Sequence, residues 1–213
     1  MLAGARLSLG VALLGTATAL LLGALIGACA AYAGGWLDLV LMRIADFVIV
    51  LPVIYLVLAL RGALPLVMTP AQVFRALFAV LSLVGWPSAA RGVRGIVVME
   101  QGSEYAEAAR AMGASPFRVI VRHLLPATRG FLSVQATVLV PAFIMAEATL
   151  SFANLGFAPP TPSWGVMLRD AAAVRVVIDA PWLLAPAAAI VAIVFVIHAA
   201  TASDRSNLPL QEM

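Results

Sequence analysis

The sequence contains no lysine, one cysteine, two histidines and few charges of any kind. Each scarcity excludes something. A phosphate-binding loop of the GxxxxGK[ST] type sets its lysine on the nucleotide phosphates. This chain therefore carries no such loop, and any ATP it depends on is hydrolysed by another subunit. Cys29 has no second cysteine to form an intrachain disulfide. With only His123 and His198 beside it, no Cys/His metal cluster is expected. Charged residues make up 11% of the 213 positions, where a soluble domain carries roughly a quarter. Apolar residues make up 63%, and the mean hydropathy is +1.06. So little polar surface cannot cover a core of this size, and lipid must be the solvent for much of the chain. All thirteen basic residues are arginines scattered among apolar runs. That pattern does not form the single basic face that nucleic acid requires.

What is present in quantity is long apolar stretches. A membrane-crossing helix takes about 20 mostly apolar residues, and spans are expected at about 7–32, 39–60, 71–90, 131–152 and 181–202. The fold class is thus an all-α integral membrane protein with about five transmembrane helices. Between the third and fourth spans lie Arg91, Arg94, Arg110, Arg118, Arg122 and Arg129. By the positive-inside rule the 91–129 segment is cytoplasmic. The 153–180 segment, where Asp170 and Asp179 offset Arg169 and Arg175, is then external, and the tail with Arg205 is internal. Counting back places the short end with Arg6 outside, with no signal sequence before it. An earlier membrane helix is therefore expected ahead of this chain.

Several smaller features accompany the spans. Gly15, Ala19, Gly23, Gly27 and Ala31 recur every fourth residue on one face of the first span. Such a face allows close helix approach in lipid, either within one bundle or at a subunit interface. Arg43 and Asp46 stand at i, i+3 and are expected to pair with each other. Glu147 is a carboxylate in or near an apolar span. It is either a functional group held in the membrane or, with Ser151 and Asn154 following, a residue of the wet outer boundary. His198 in the last span reads as a packed or interfacial side chain.

The 91–129 segment holds the most specific local chemistry. Gly102-Ser103 ends the third helix, and Ser103 suits an N-cap. Glu104 and Glu107 then favour a helix N-terminus, and Gly113 suits the position just past the helix end. Ser115 and Pro116 restart a helix as N-cap and first residue, which is expected to run until Pro126 interrupts it. The result is a helix–turn–helix elbow with small side chains on its first arm. It is either an amphipathic elbow on the membrane surface or an arm that another protein receives in a groove.

The residues themselves resemble a known pattern. Glu107-Ala108-Ala109, Gly113 and Leu125-Pro126 match the EAA loop of ABC importer permeases, EAA-x3-G-x9-I-x-LP, with His123 in place of the isoleucine. Glu147-Ala148-Thr149-Leu150-Ser151-Phe152, Leu155-Gly156 and the run from Pro159 through Pro160 and Trp164 to Gly165 resemble the E-x-x-LSFLGLG-x-x-PPTPSWG signature, with Ala153 and Asn154 departing from it. The ARLSLG run and Gly34-Gly35-Trp36 turn, with Met42 to Asp46, are similar too. The likeness covers about Gly4 to Ala188. On these residues the chain resembles a C-type permease of the dipeptide/oligopeptide/nickel ABC importer family, whose members usually have six spans and a short cytoplasmic coupling helix. Its first helix would then be the one absent here. The C-terminal Ile197-His198-Ala199-Ala200 and Asp204-Arg205 depart from the family's ending.

The resemblance implies a bacterial inner-membrane subunit that moves peptides or similar small solutes. Its partners would be ABC ATPase subunits, a second homologous permease, an extracytoplasmic substrate-binding protein and membrane lipid, with no nucleic acid. Glu107, Ala108 and Ala109 would dock in a cleft of the ATPase, Gly113 would permit the turn, and Leu125-Pro126 would anchor the second arm. Glu147, Pro160, Trp164 and Gly165 would form an external gate or docking loop, or a plain structured loop. No catalytic residue and no cofactor is implied. The competing readings are a secondary transporter or channel without an ATPase, and an inactive truncated permease. No internal repeat and no intramembrane charge network favour the former.

Overall fold

The computed structural model describes residues 1–63, 68–172 and 181–206. Arg175 and Asp179, and the side chains of His198, Asp204 and Arg205, lie outside the described residues. Among the described residues every regular element is helical. Lipid dictates this outcome, because a spanning backbone without water must satisfy its own N–H and C=O groups. In order come α1 (Leu2–Ala33), α2 (Gly35–Val50), α3 (Val53–Ala63), α4 (Pro70–Glu100), α5 (Glu104–Ala111), α6 (Pro116–Val119), a π-helical turn (Ile120–Leu124) and α7 (Leu125–Ala127). Then follow α8 (Arg129–Phe152), α9 (Trp164–Ala171), a 3-10 turn (Pro181–Leu184) and α10 (Ala185–Ser206).

Among the described residues α1, α4 and α8 are each long and apolar enough to cross a membrane. α2 and α3 make a fourth crossing only if taken as one bent pair. The stretch expected to span at 39–60 is not straight: α2 and α3 meet at 88°. Pro52 explains the break. It offers no N–H, and it pushes the preceding residue out of the helical region. Leu51 accordingly has φ −72° and ψ 118°. The last expected span falls on the 3-10 turn and α10, where the apolar stretch among the described residues is Trp182–Ile197. α4 runs 31 residues, about 46 Å at 1.5 Å per residue. Its final turns, from Arg91 to Glu100, therefore continue as helix beyond a hydrocarbon core of about 30 Å.

The chain divides into two compact units. The first comprises Met1–Leu14, Val57–Phe78 and the described part of Thr137–Met213. In it α9 and the start of α1 meet, with the Trp164 N–H donating to Ser8 Oγ at 3.1 Å. The second comprises Gly15–Leu56 and Ala79–Ala136. Its centre is the crossing of α1 on α4. A Cβ on Gly23 would stand 2.5 Å from Ala89 Cβ and 2.8 Å from the Trp86 carbonyl oxygen, and one on Gly27 would overlap the Ala90 carbonyl. Of the small-residue face, Gly23 and Gly27 thus serve packing within this chain. α2 lies on the same helix, with Ala45 and Val48 against Trp86 and Ala90.

Two ion pairs bind α2 to α4. Arg94 grips Asp38 with both arms of its fork, Nε to Oδ1 at 2.7 Å and Nη2 to Oδ2 at 2.5 Å. Arg91 pairs with Asp46. The expected Arg43–Asp46 pair is therefore corrected: Asp46 turns toward α4 and takes its partner there. The i, i+3 spacing makes Arg43 available, but an exposed local pair gains only a few tenths of a kcal/mol. Tertiary packing overrides so small a preference.

The close crossing yields a direct prediction. Gly27→Ala forces the new methyl into a backbone carbonyl that no rotamer change can move, an overpacking cost of about 1–3 kcal/mol. Gly95→Ala, where nothing lies within 4 Å, is the control. The thermal unfolding midpoint in mild detergent should fall for Gly27→Ala and hold for Gly95→Ala; equal midpoints would refute the crossing.

Candidate functional site

The elbow builds itself from capping chemistry. Ser103 stands at the junction with extended backbone, φ −73° and ψ 148°. Its hydroxyl donates back to the Glu100 carbonyl at 2.6 Å. It therefore closes the end of α4 instead of accepting from α5, as the N-cap expectation required. α5 ends at a left-handed glycine, Gly113 with φ 81°. The Ala114 N–H reaches the Ala109 carbonyl at 3.0 Å and the Gly113 N–H reaches the Arg110 carbonyl at 2.9 Å. These paired bonds satisfy carbonyls a helix end leaves open, and a left-handed cap strongly favours glycine. Ser115 then accepts from the Arg118 N–H at 3.4 Å, with Pro116 as first residue of α6.

The expected second arm does not continue as plain α-helix to Pro126. From Ile120 to Leu124 it opens into a π-helical turn, after which Leu125–Ala127 carries Pro126 in its first turn. The backbone stays helical from Leu124 to Thr128, so Pro126 is accommodated and not a stop. Thr128, fully buried, donates its hydroxyl to the Leu125 carbonyl at 2.8 Å.

The two faces of α5 differ sharply. Ala109 is 3% exposed and sits with Ala106, Val93, Val97, Val119 and Leu124 in one apolar cluster. Glu107 and Ala108 are exposed on the outer face. The small size of Ala109 thus lets α5 lie close on its own chain. Leu125 packs half-buried at the cluster edge. Tyr105 donates to the Glu100 carboxylate, and that bond raises the phenol pKa above its ordinary value. The Tyr105 and His123 ring centroids are 6.3 Å apart. Below them Ala109, Met112, Ala114, Arg118, Arg122 and His123 line a hollow of about 380 Å³.

A second constellation lies at the far end of α8. Glu147 is 0% exposed, so its side chain is enclosed by its own chain. Its Oε1 accepts from Ser151 Oγ at 2.7 Å, and Ser151 Oγ accepts from the Phe157 N–H at 3.0 Å. The relay folds the following segment back onto α8. Gly165 is packed so closely there that a Cβ would stand 2.7 Å from Ser151 Cβ. Trp164 is buried beside it, while Pro160, after the cis Pro159–Pro160 bond, is exposed. Glu147, Trp164 and Gly165 are thus brought together, and Pro160 is not one of their group. Two polar atoms here lack a partner among the described residues, Glu147 Oε2 and Trp164 Nε1. Ser8 and Phe157 are members that the sequence reading did not single out. Ser8 could have been suspected only from its place in the ARLSLG run, since its contact spans 156 residues.

Residues 19–206 match the family model described as binding-protein-dependent transport system inner membrane component. A dipeptide transport system permease protein of Bacillus subtilis is 40% identical over 167 residues, covering 78% of this chain and 50% of that protein. An oligopeptide transport system permease protein of the same organism is 34% identical, covering 78% and 53%. A glutathione transport system permease protein of Pectobacterium atrosepticum is 33% identical over 171 residues, covering 80% and 55%. The chain thus spans about half the length of these relatives.

Glu147 anchors the relay, which gives a test of it. Glu147→Ala leaves the Ser151 hydroxyl without its acceptor and should cost about 1–3 kcal/mol. Glu147→Gln retains an acceptor oxygen and should cost less. Limited proteolysis in detergent should cut the 153–163 segment faster in Glu147→Ala than in Glu147→Gln or the unaltered chain. Equal cutting in all three would show that the relay does not hold the segment.

Proposed function

Since the chain belongs to the binding-protein-dependent transport system inner membrane component family, we propose that it is a permease subunit of an ABC importer for peptides or similar small solutes. It is a membrane protein, and the relatives' names supply the solute class. We place the elbow on the cytoplasmic side, with the 153–180 segment outside and about five crossings at the boundaries expected from the sequence. Six arginines between Arg91 and Arg129 support that orientation. ATP hydrolysis belongs to partner ATPase subunits, because the chain has no lysine for a phosphate-binding loop. A second homologous permease completes the pathway, and an extracytoplasmic binding protein delivers the solute.

The observation that carries this reading is the exposure of Glu107 and Ala108 on an α5 whose other face is locked to its own chain. An exposed acidic-and-small face on a capped, self-supported helix is a docking face. In this reading the ATPase meets Glu107 and Ala108, while Ala109 and Gly113 set the geometry behind them and Leu125-Pro126 tie the second arm toward α8. At the other end, Glu147, Trp164 and Gly165 hold the external segment that Pro160 projects outward, where the binding protein docks.

Tagged chain purified in mild detergent from its native membrane tests this. An ABC ATPase and a second permease should co-purify. Glu107→Lys should lower ATPase recovery about ten-fold or more, as expected when a charge in a docked interface is reversed. It should leave the second permease bound. Gly113→Asp should lose the ATPase as well, through the turn. Co-purification of neither partner with the unaltered chain would overturn the importer reading.

A further inference from the structure

We propose that the second arm of the elbow binds the headgroup of an anionic phospholipid, with Arg118 and Arg122 on its phosphate and Phe117 and Val121 among its acyl chains. Two stripes run side by side along this arm. Phe117, 75% exposed, and Val121, 43% exposed, form the apolar one. Arg118 and Arg122, at the same spacing of four, form the cationic one and are also exposed. An apolar stripe beside a basic stripe on an exposed helix is the arrangement that lies in a membrane interface.

The arginines are free for such a ligand. Neither side chain makes an ion pair or hydrogen bond among the described residues. By contrast, Arg110 is occupied with the Gln101 carbonyl, and Arg91 and Arg94 are held by Asp46 and Asp38. Arg118 and Arg122 both line the hollow of about 380 Å³, together with His123, Met112, Ala109 and Ala114. No carboxylate is among these lining residues. The hollow is thus lined by two arginines and no carboxylate, and it is large enough for a phosphate with its ester substituents.

Position favours lipid over a soluble anion. Arg122 precedes Arg129, the first residue of α8, by seven residues, about 10 Å of helical rise at most. The headgroup zone adds roughly 5–8 Å to each side of the hydrocarbon core, so Arg122 lies within a long side chain's reach of the phosphates. Phe117 and Val121 would be wasted on a free phosphate but suit acyl chains. Lipid binding here requires only that α8 crosses the membrane. It holds whether or not the elbow also meets an ATPase.

The test titrates the full chain, purified in mild detergent, with phosphatidylglycerol and separately with phosphatidylcholine of the same acyl chains. Retained lipid is counted by native mass spectrometry. Phosphatidylglycerol should bind about ten-fold tighter or more. R118Q/R122Q should weaken it roughly ten- to thirty-fold, as two surface arginines facing anionic lipid do, and R118K/R122K should keep most of the preference. If the double glutamine variant fails to accumulate, R122Q alone should lose about half of that effect on a logarithmic scale. Equal retention of both lipids, or an undiminished preference in the glutamine variants, would overturn the proposal. So would displacement of the lipid by millimolar inorganic phosphate, which would assign the hollow to a soluble anion.

Discussion

Everything in this chain answers to one constraint: in hydrocarbon the backbone has no water to bond, so each departure from helix must be closed by the chain itself. The described residues leave the helical state at few places, and at several of them a local feature accounts for it. Leu51-Pro52 turns the chain where the proline removes a donor. Ser103 returns its hydroxyl to the end of α4. Gly113 takes the left-handed conformation that lets two N–H groups reach back into α5. Beyond Phe152, the Ser151 hydroxyl serves at once as donor to Glu147 and acceptor from Phe157. At these closures the chain presents polar groups in place of an apolar rod.

The same constraint explains which polar side chains are retained. Desolvating a charge is costly, and a buried carboxylate persists only with bonds that justify it. Glu147 has one such bond and one bare oxygen. Asp38 meets it more fully, since both of its oxygens lie in the fork of Arg94. Bidentate pairs of that kind fix direction as well as distance, so α2 is oriented against α4 and not merely attracted to it.

How legible this was in the sequence depended on how local the determining chemistry is. The turn of the elbow could be read because it is set within four or five residues, by Gly113 and Ser115-Pro116. The inward turn of Ala109 could not, because alanine carries no polarity to show which way it faces. The partner of Asp46 was also hidden, lying 45 positions along the chain at Arg91. Prolines show the limit most clearly. Pro87 and Pro141 sit inside α4 and α8 without ending them, whereas Pro52 breaks its stretch at 88°. In lipid, neighbouring helices can rescue the freed carbonyl, and a single residue type does not say where that rescue is available. The long apolar runs were plain, as was the family likeness in the EAA-like and PPTPSWG-like segments. The Ser8–Trp164 contact needed the fold.

The locked inner face of α5 has a mechanical meaning. Ala106 and Ala109 rest on Val93 and Val97 of α4, and Asp38 and Asp46 hold that same stretch of α4 to α2. The outer face of α5 is therefore backed by two helices at once. The chain bends instead at Leu51-Pro52, where α2 and α3 meet at 88°. The backed face of the elbow and the bend lie some fifty residues apart in the sequence, joined through the same α2.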